Sequence, residues 1–298
     1  MRRLTTQQRV SVVRCLVEGC SIRSTVRMTG VSKNAISRFL LDIGRVCLNH
    51  EDRALRGLAI QRLECDELWG FVHCKDRQVP KAKMDVPGMG SQWTWIALDA
   101  DSKLIVSWLI GDRNIDHARA FIGDLRSRLV ARPQISTDAL GAYAGVIAES
   151  FHSLGVDYGQ VHKIYGKFNT DDTRYSPSVC IGTEKKAVRG NPNMKLVSTS
   201  FVERANLTVR MSQRRWTRLT NAHSKSFSHM EAAFALHSFY YNWCRKHMTL
   251  GTTPAVAAGV AKRAWTVEEV VGLLEAEERA EIGTDARKRG PYKRHTNI

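Results

Sequence analysis

Three short runs rich in β-branched, aromatic and aliphatic residues, at 63–72, 92–99 and 104–110, follow one another with Gly88, Gly90 and Asp101 as turn signals between them. Runs of that length bounded by such residues read as strands, and three joined by short connections predict an antiparallel meander. The period then changes. Ala118, Phe121, Ile122, Leu125 and Leu129 recur at helical spacing behind Asp116, a capping residue, and Pro133 stops the helix. A strand at 134–138, a helix at 142–154 and a strand at 156–164 complete the order β-β-β-α-β-α-β. The pattern predicts an α/β fold with a mixed five-stranded sheet flanked by helices. The polar, Gly- and Pro-punctuated stretch 166–195 reads as loops.

Ahead of the sheet, three helical patterns are separated by turn signals. Thr5 or Thr6 can cap the first, in which Val10, Val13 and Val17 repeat before Gly19. Ser21 can cap the second, with Ile22 and Val26 on one face and Gly30 at its end. Ser32 can cap the third, whose stripe of Ile36, Phe39, Leu40 and Ile43 runs to Gly44, with 47–62 as a connection. Lys33, Asn34, Ser37 and Arg38 lie opposite that stripe. A short turn at Gly30-Val31 between two such helices is a helix-turn-helix pattern, in which early residues of the last helix reach base edges. Small three-helix units also occur without DNA, and charge is what favours the binding reading. Residues 1–62 hold twelve Lys+Arg against four Asp+Glu, which is +8 of the chain's net +16.

That surplus, with 45 Lys+Arg against 29 Asp+Glu, makes a polyanion the expected partner, through counterion release from phosphates. No run reaches the roughly 20 apolar residues needed to cross a bilayer, so no membrane is expected and the reading is cytoplasmic. Seven scattered cysteines without a Cys-x-x-Cys pair indicate neither a disulfide framework nor a zinc ribbon.

Against this basic background, three carboxylates stand out. Asp66 lies inside the first strand, in Leu-Glu-Cys-Asp-Glu-Leu-Trp, where an acid among apolar neighbours is costly to desolvate without a metal or donors. Its neighbour Glu67 must point to the other sheet face, so only one of the two is expected at a shared site. Asp138 ends the fourth strand, and adjacent central strands would bring it to Asp66. Glu203 opens a helix expected from Ser200 to Leu219, followed by an aromatic helix at 229–247. Each acid has an ordinary alternative: Asp138 can cap the next helix, and Ser200 with Glu203 matches a capping box. Phe239, Tyr240, Tyr241 and Trp243 read as core rather than a base-stacking platform. Arg204, Arg210, Arg214, Arg215 and Arg218 would give the helix after Glu203 a phosphate-facing side.

The chain resembles insertion-sequence DDE transposases of the insertion sequence one type, which carry a ribonuclease-H-like catalytic core. The resemblance rests on Asp66-Glu67-Leu68-Trp69, Thr137-Asp138-Ala139-Leu140 and Phe201-Val202-Glu203-Arg204-Ala205-Asn206-Leu207-Thr208. It extends to the segments Arg214 to Asn221 and Tyr241 to His247. It implies Asp66, Asp138 and Glu203 as catalytic ligands of two Mg²⁺ ions, with Mn²⁺ able to substitute, for cleavage at element ends and strand transfer into target DNA. It also implies a homodimer or larger assembly on DNA, since two ends must be paired. Asn206, Arg210 and His247 are secondary candidates for orienting DNA. Some relatives precede the helical unit with a cysteine-rich zinc element that has no counterpart here, so end recognition would rest on the helices or on a partner subunit. The expected division is a helix-turn-helix domain at 1–50, a linker at 51–62, the catalytic domain at 63–265, a helix at 266–284 and a basic disordered tail at 285–298. The competing expectations are a helix-turn-helix regulator, a nuclease that cuts without joining, and a decayed copy.

Overall fold

The computed structural model describes residues 3–82, 85–166, 180–217 and 220–288. Three helices open the chain: α1 (Thr6–Val17), α2 (Ile22–Thr29) and α3 (Lys33–Ala54). Their starts follow the predicted caps. The Thr5 hydroxyl accepts from the Gln8 amide while the Gln8 side chain accepts from the Thr5 amide, and Ser21 and Ser32 accept from the amides of Ser24 and Ala35. Gly30 closes α2 in the left-handed region at φ 69°.

Gly44 does not end α3, and the correction is physical. A Cβ built there would come within 2.6 Å of the Cα of Ala232, so the glycine serves close approach to a later helix. α3 then runs through the first half of the stretch expected to be a connection. Glu51, in its last turns, is buried and accepts from Trp108 Nε1 at 3.1 Å, the Ser238 hydroxyl at 2.8 Å and the Asn242 amide at 3.4 Å. Burial pushes its carboxyl up to about 7, even though those donors act in the opposite direction.

The sheet comprises β1 (Arg62–Val72), β2 (Gly90–Asp99), β3 (Ile105–Gly111), β4 (Gln134–Asp138), β5 (Asp157–Tyr165) and β6 (Cys180–Arg189), in the order β3-β2-β1-β4-β5-β6. β1 pairs antiparallel with β2, and β2 with β3, while β1–β4 and β4–β5 are parallel. Helices α4 (Ile115–Arg128) and α5 (Gly141–Ser150) provide the parallel crossovers. Asn114, rather than Asp116, caps α4. The result is a mixed α/β fold with a helix-flanked sheet, compatible with a ribonuclease-H-like core.

Among the described residues the sheet has six strands rather than the expected five. β6, antiparallel to β5, lies inside the stretch read as loops. Its residues are almost all exposed, so it has no buried face to impose an alternating apolar pattern. Residues 167–179 of that stretch lie outside the described residues.

α6 (Ser200–Ser212), a 3₁₀ turn at Arg214–Trp216 and α7 (Phe227–Phe239) follow. The aromatic helix expected at 229–247 is interrupted: Tyr240–Cys244 forms a π-helical turn, with the Arg245 amide donating to the Tyr240 carbonyl at 2.8 Å. Asn242, wholly buried, uses that turn to bond both backbone groups of Ile105 on β3, each at 2.9 Å. Phe239, Tyr241 and Trp243 are core, as expected. α8 (Pro254–Ala257) and α9 (Val267–Lys288) complete the chain. α9 extends into the region read as a tail, and 289–298 lie outside the described residues. Among the described residues no helix is long and apolar enough to cross a membrane.

Candidate metal centre

The register of β1 on β4 sets the site. Cys65 lies opposite Thr137, so Asp66, midway along β1, comes beside Asp138 at the carboxyl end of β4. One oxygen each from Asp66, Asp138 and Glu67 lies within 4.8 Å of the others, an arrangement that could hold a metal ion. The convergence of Asp66 and Asp138 follows the expectation; the presence of Glu67 does not. Strand alternation does send Glu67 to the other face, where its pairing neighbour Trp95 meets Phe121 of α4 and Tyr143 of α5. β4, however, stops at Asp138 while β1 continues to Val72. In the notch beyond the end of β4 both successive acids come within reach of Asp138.

Glu67 is held firmly. Tyr143 donates its hydroxyl to one oxygen and Arg113 Nε donates to the other at 3.0 Å. The same guanidinium reaches Asp138 Oδ2 at 3.5 Å, so Arg113 joins the two acids. Asp138 Oδ1 accepts from the Leu140 amide at 2.9 Å, a turn ahead of α5 rather than the helix cap that the sequence offered, since Leu140 is the N-cap and no side chain caps α5. Its second oxygen faces the notch. Asp66 Oδ2 accepts from the side-chain amide of Asn206 at 2.8 Å.

Glu203 enters from α6, and its position is fixed by a residue that sequence reasoning passed over. Glu64, two places before Asp66 on the same face of β1, is buried and accepts from the amides of Phe201 and Val202 at 2.7 and 3.0 Å. A carboxylate at orphan amides complements a helix N-terminus. Ser200 provides no such cap, so the capping-box alternative for Glu203 does not apply. Glu203 instead accepts from the Thr199 hydroxyl at 2.5 Å and pairs with Lys163 Nζ of β5 at 2.7 Å. Asp66, Glu67, Glu203, Asn206 and Arg210 line one open groove of about 300 Å³. Among the described residues, Glu203 stands outside the tightest acidic trio but lines the same groove as Asp66 and Glu67.

The electrostatics of Asp66 and Glu67 are unfavourable without a cation. Burial, then the Asp138 charge, pushes Asp66 up to about 6. Burial pushes Glu67 up to about 7, with Asp138 and Asp66 adding to the shift and the Tyr143 bond opposing it. Glu64 is likewise raised to about 7 by burial. Crowded, partly desolvated carboxylates favour protonation unless positive charge intervenes, and an all-oxygen donor set suits a hard divalent ion. Lys163 supplies part of that charge: burial opposes its protonation, but the bond to Glu203 and the nearby Asp66 raise its pKa.

The candidate DNA-contacting residues fall into two groups. Lys33, Asn34 and Arg38 are exposed on α3, and Arg204 and Arg214 are exposed on and after α6. Ser37 shares a 2.7 Å hydrogen bond with His229, Arg210 donates to the Trp216 carbonyl at 3.0 Å, and Arg215 is turned inward with its Nε buried. The five arginines therefore do not form one outward face, and Arg218 lies outside the described residues. His247 Nδ1 is buried without a hydrogen-bond partner among the described residues. Glu64 had a readable signal in its period-two spacing from Asp66. Lys163, Arg113 and Tyr143 had none, because only the sheet order brings them to the acids. A scan of protein-family models matches none to this chain, and a search of curated proteins finds no match.

Proposed function

We propose that the chain is a transposase, a metal-dependent polynucleotidyl transferase that cleaves DNA at element ends and joins the freed 3′-hydroxyl to a target duplex. The observation that carries the reading is the meeting of Asp66 and Asp138, 72 positions apart in the chain, with Glu67 beside them. The +16 charge supports a phosphate-bearing substrate. Divalent cations, Mg²⁺ or Mn²⁺, would supply charge neutralisation at the phosphate and activation of the attacking water or hydroxyl.

Asp66 and Asp138 would hold the ions, with Glu203 completing the set from α6 and Glu67 available from the opposite face of β1. Asn206 fixes the rotamer of Asp66, Leu140 that of Asp138, and Glu64 anchors the helix bearing Glu203. Lys163 balances Glu203 and lies where it can turn to a phosphate oxygen. α2 and α3, joined by the Gly30 turn, would serve as a helix-turn-helix, with the exposed Lys33, Asn34 and Arg38 as its candidate readers.

The test uses a labelled duplex carrying an element end, with Mn²⁺ or Mg²⁺ added. The wild type should cut it and link the cut end to a second duplex, while Asp66→Asn and Asp138→Asn should do neither yet retain duplex binding. Cutting without joining would indicate a nuclease, metal-independent binding alone would indicate a regulator, and unchanged strand transfer by either variant would remove these acids from the mechanism. Comparing Glu67→Gln with Glu203→Gln identifies the third ligand.

A further inference from the structure

A cleft of about 630 Å³ lies away from the acidic groove, between the N-terminal helices and the segment linking α6 to α7. Its described lining includes Arg23, Lys33, Arg214, Arg215 and Lys225 and no carboxylate. Residues that begin three helices border it: Ser21 and Arg23 at α2, Lys33 and Ser37 at α3, and Ser226 and His229 at α7. Helix N-termini carry unsatisfied amides and partial positive charge, which favour anions.

Arg215 provides an independent sign. Its Nε is shielded from solvent and has no hydrogen-bond partner among the described residues. No acid is paired with it there, although a guanidinium nitrogen shut off from solvent normally has a partner. Burial alone pulls its pKa down to about 10, so it remains charged near neutrality. The neighbouring imidazole of His229 is committed on both nitrogens, to Ser37 at 2.7 Å and to Ser226 at 2.7 Å, and cannot neutralise it. Such a cation is satisfied by an anion entering the cleft.

We infer that this cleft is a second phosphate site, seating a DNA backbone against Arg215 apart from the acidic cluster. The identity of the anion rests on the proposed DNA chemistry; its place rests on the cleft itself. α6 spans about 14 Å from Glu203 to Ser212, at roughly 1.5 Å per residue. A strand entering the groove at Glu203 and continuing past the end of α6 would therefore cross the cleft. The site joins Lys33 of the helical unit to Arg214 and Arg215 of the core-side segment, so one bound backbone would span both.

The experiment measures binding of a fluorescent duplex to the full chain in EDTA over a salt series. Arg215→Gln should weaken binding about tenfold and flatten the logarithmic salt slope by about 0.9 for each phosphate that is no longer neutralised, whatever the duplex sequence. Because a change at a buried site can unfold the chain, a rim variant, Arg23→Gln with Lys225→Gln, is measured alongside and should flatten the slope as well. Wild-type affinity and slope in both variants would overturn the inference. Inorganic pyrophosphate is the second probe: Arg215-dependent thermal stabilisation by pyrophosphate, with no duplex bound by the wild type, would assign the cleft to a small phosphate compound and also overturn it. An Arg215-dependent slope in a chain that neither cuts nor joins DNA would keep the cleft while removing the enzymatic reading.

Discussion

The carboxylate of Glu64 receives the amide proton of Phe201 at 2.7 Å, tying the second residue of α6 to the strand that carries Asp66. The spacing between Glu203 and Asp66 is thereby set by an interaction outside the acidic trio. Glu64→Ala should cost about 1–2 kcal/mol through the missing cap and the small cavity left behind. It should also weaken Mn²⁺ binding although Glu64 does not line the groove. Urea denaturation and Mn²⁺ titration of the same variant check both parts, and undiminished Mn²⁺ affinity would separate α6 from the metal site.

Asn206→Ala removes the amide that holds Asp66. The carboxylate loses its bond at 2.8 Å and gains rotameric freedom. Groups that orient a metal ligand typically contribute 10- to 100-fold in affinity, so Mn²⁺ affinity should fall by about tenfold with little change in fold stability. Electron paramagnetic resonance of free Mn²⁺ gives the number directly.

Asp66 and Glu67 have folded-state pKa values raised to about 6 and about 7, above those of an unfolded chain. Their contribution to stability is therefore complete below about pH 4 and is lost as pH rises through 6 to 7. For Asp66 the loss is on the order of 3 kcal/mol. Divalent cations, which require the ionised forms, should bind more tightly over the same interval and offset the loss. Urea denaturation at pH 5 and pH 8 should show the decline without cation and its reduction with Mn²⁺. Asp66→Asn should reduce both effects, and a pH-independent Mn²⁺ affinity would contradict the assignment.

Gly44→Ala sets two effects against each other. Alanine improves helix propensity by about 1 kcal/mol, but its Cβ would stand 2.6 Å from the Cα and Cβ of Ala232 and 2.7 Å from its carbonyl oxygen. Backbone cannot yield as a side chain does, so overpacking of about 1–3 kcal/mol should prevail and lower the melting temperature. Ala232→Gly in the same chain should restore only part of the loss, because the main chain at that position still crowds the new methyl group.

The elements legible in the sequence were those with a buried face. The three leading strands, α4, β4, α5 and β5 carry apolar residues whose period reports the side that faces the core. β6 escaped because an exposed edge strand is stabilised by backbone pairing with β5, and Cys180–Arg189 reads as polar chain. Gly44 misled because its reason is tertiary, a neighbour nearly two hundred residues away in the chain. Asp66 and Asp138 were legible as strand-borne acids, and their meeting followed from sheet order. Glu67 was set aside because alternation sends it to the other face; it does lie there, but past the end of β4 an oxygen of each acid still reaches Asp138. The phosphate-facing arginine surface was drawn from one uninterrupted helix, whereas α6 ends at Ser212 and Arg215 turns inward.

Asn242 presents its amide to both the N–H and the carbonyl of Ile105, occupying at that point the outer margin of β3, where an added strand would otherwise dock. The margin beyond β6 carries Lys185, Lys186 and Arg189 against Glu184. A second copy approaching edge to edge would meet its own positive charge there. The two sides of the sheet thus resist lengthening by different means, a side chain standing in for backbone on one and electrostatic repulsion on the other, and a protein this rich in β-branched strands is kept from polymerising through them.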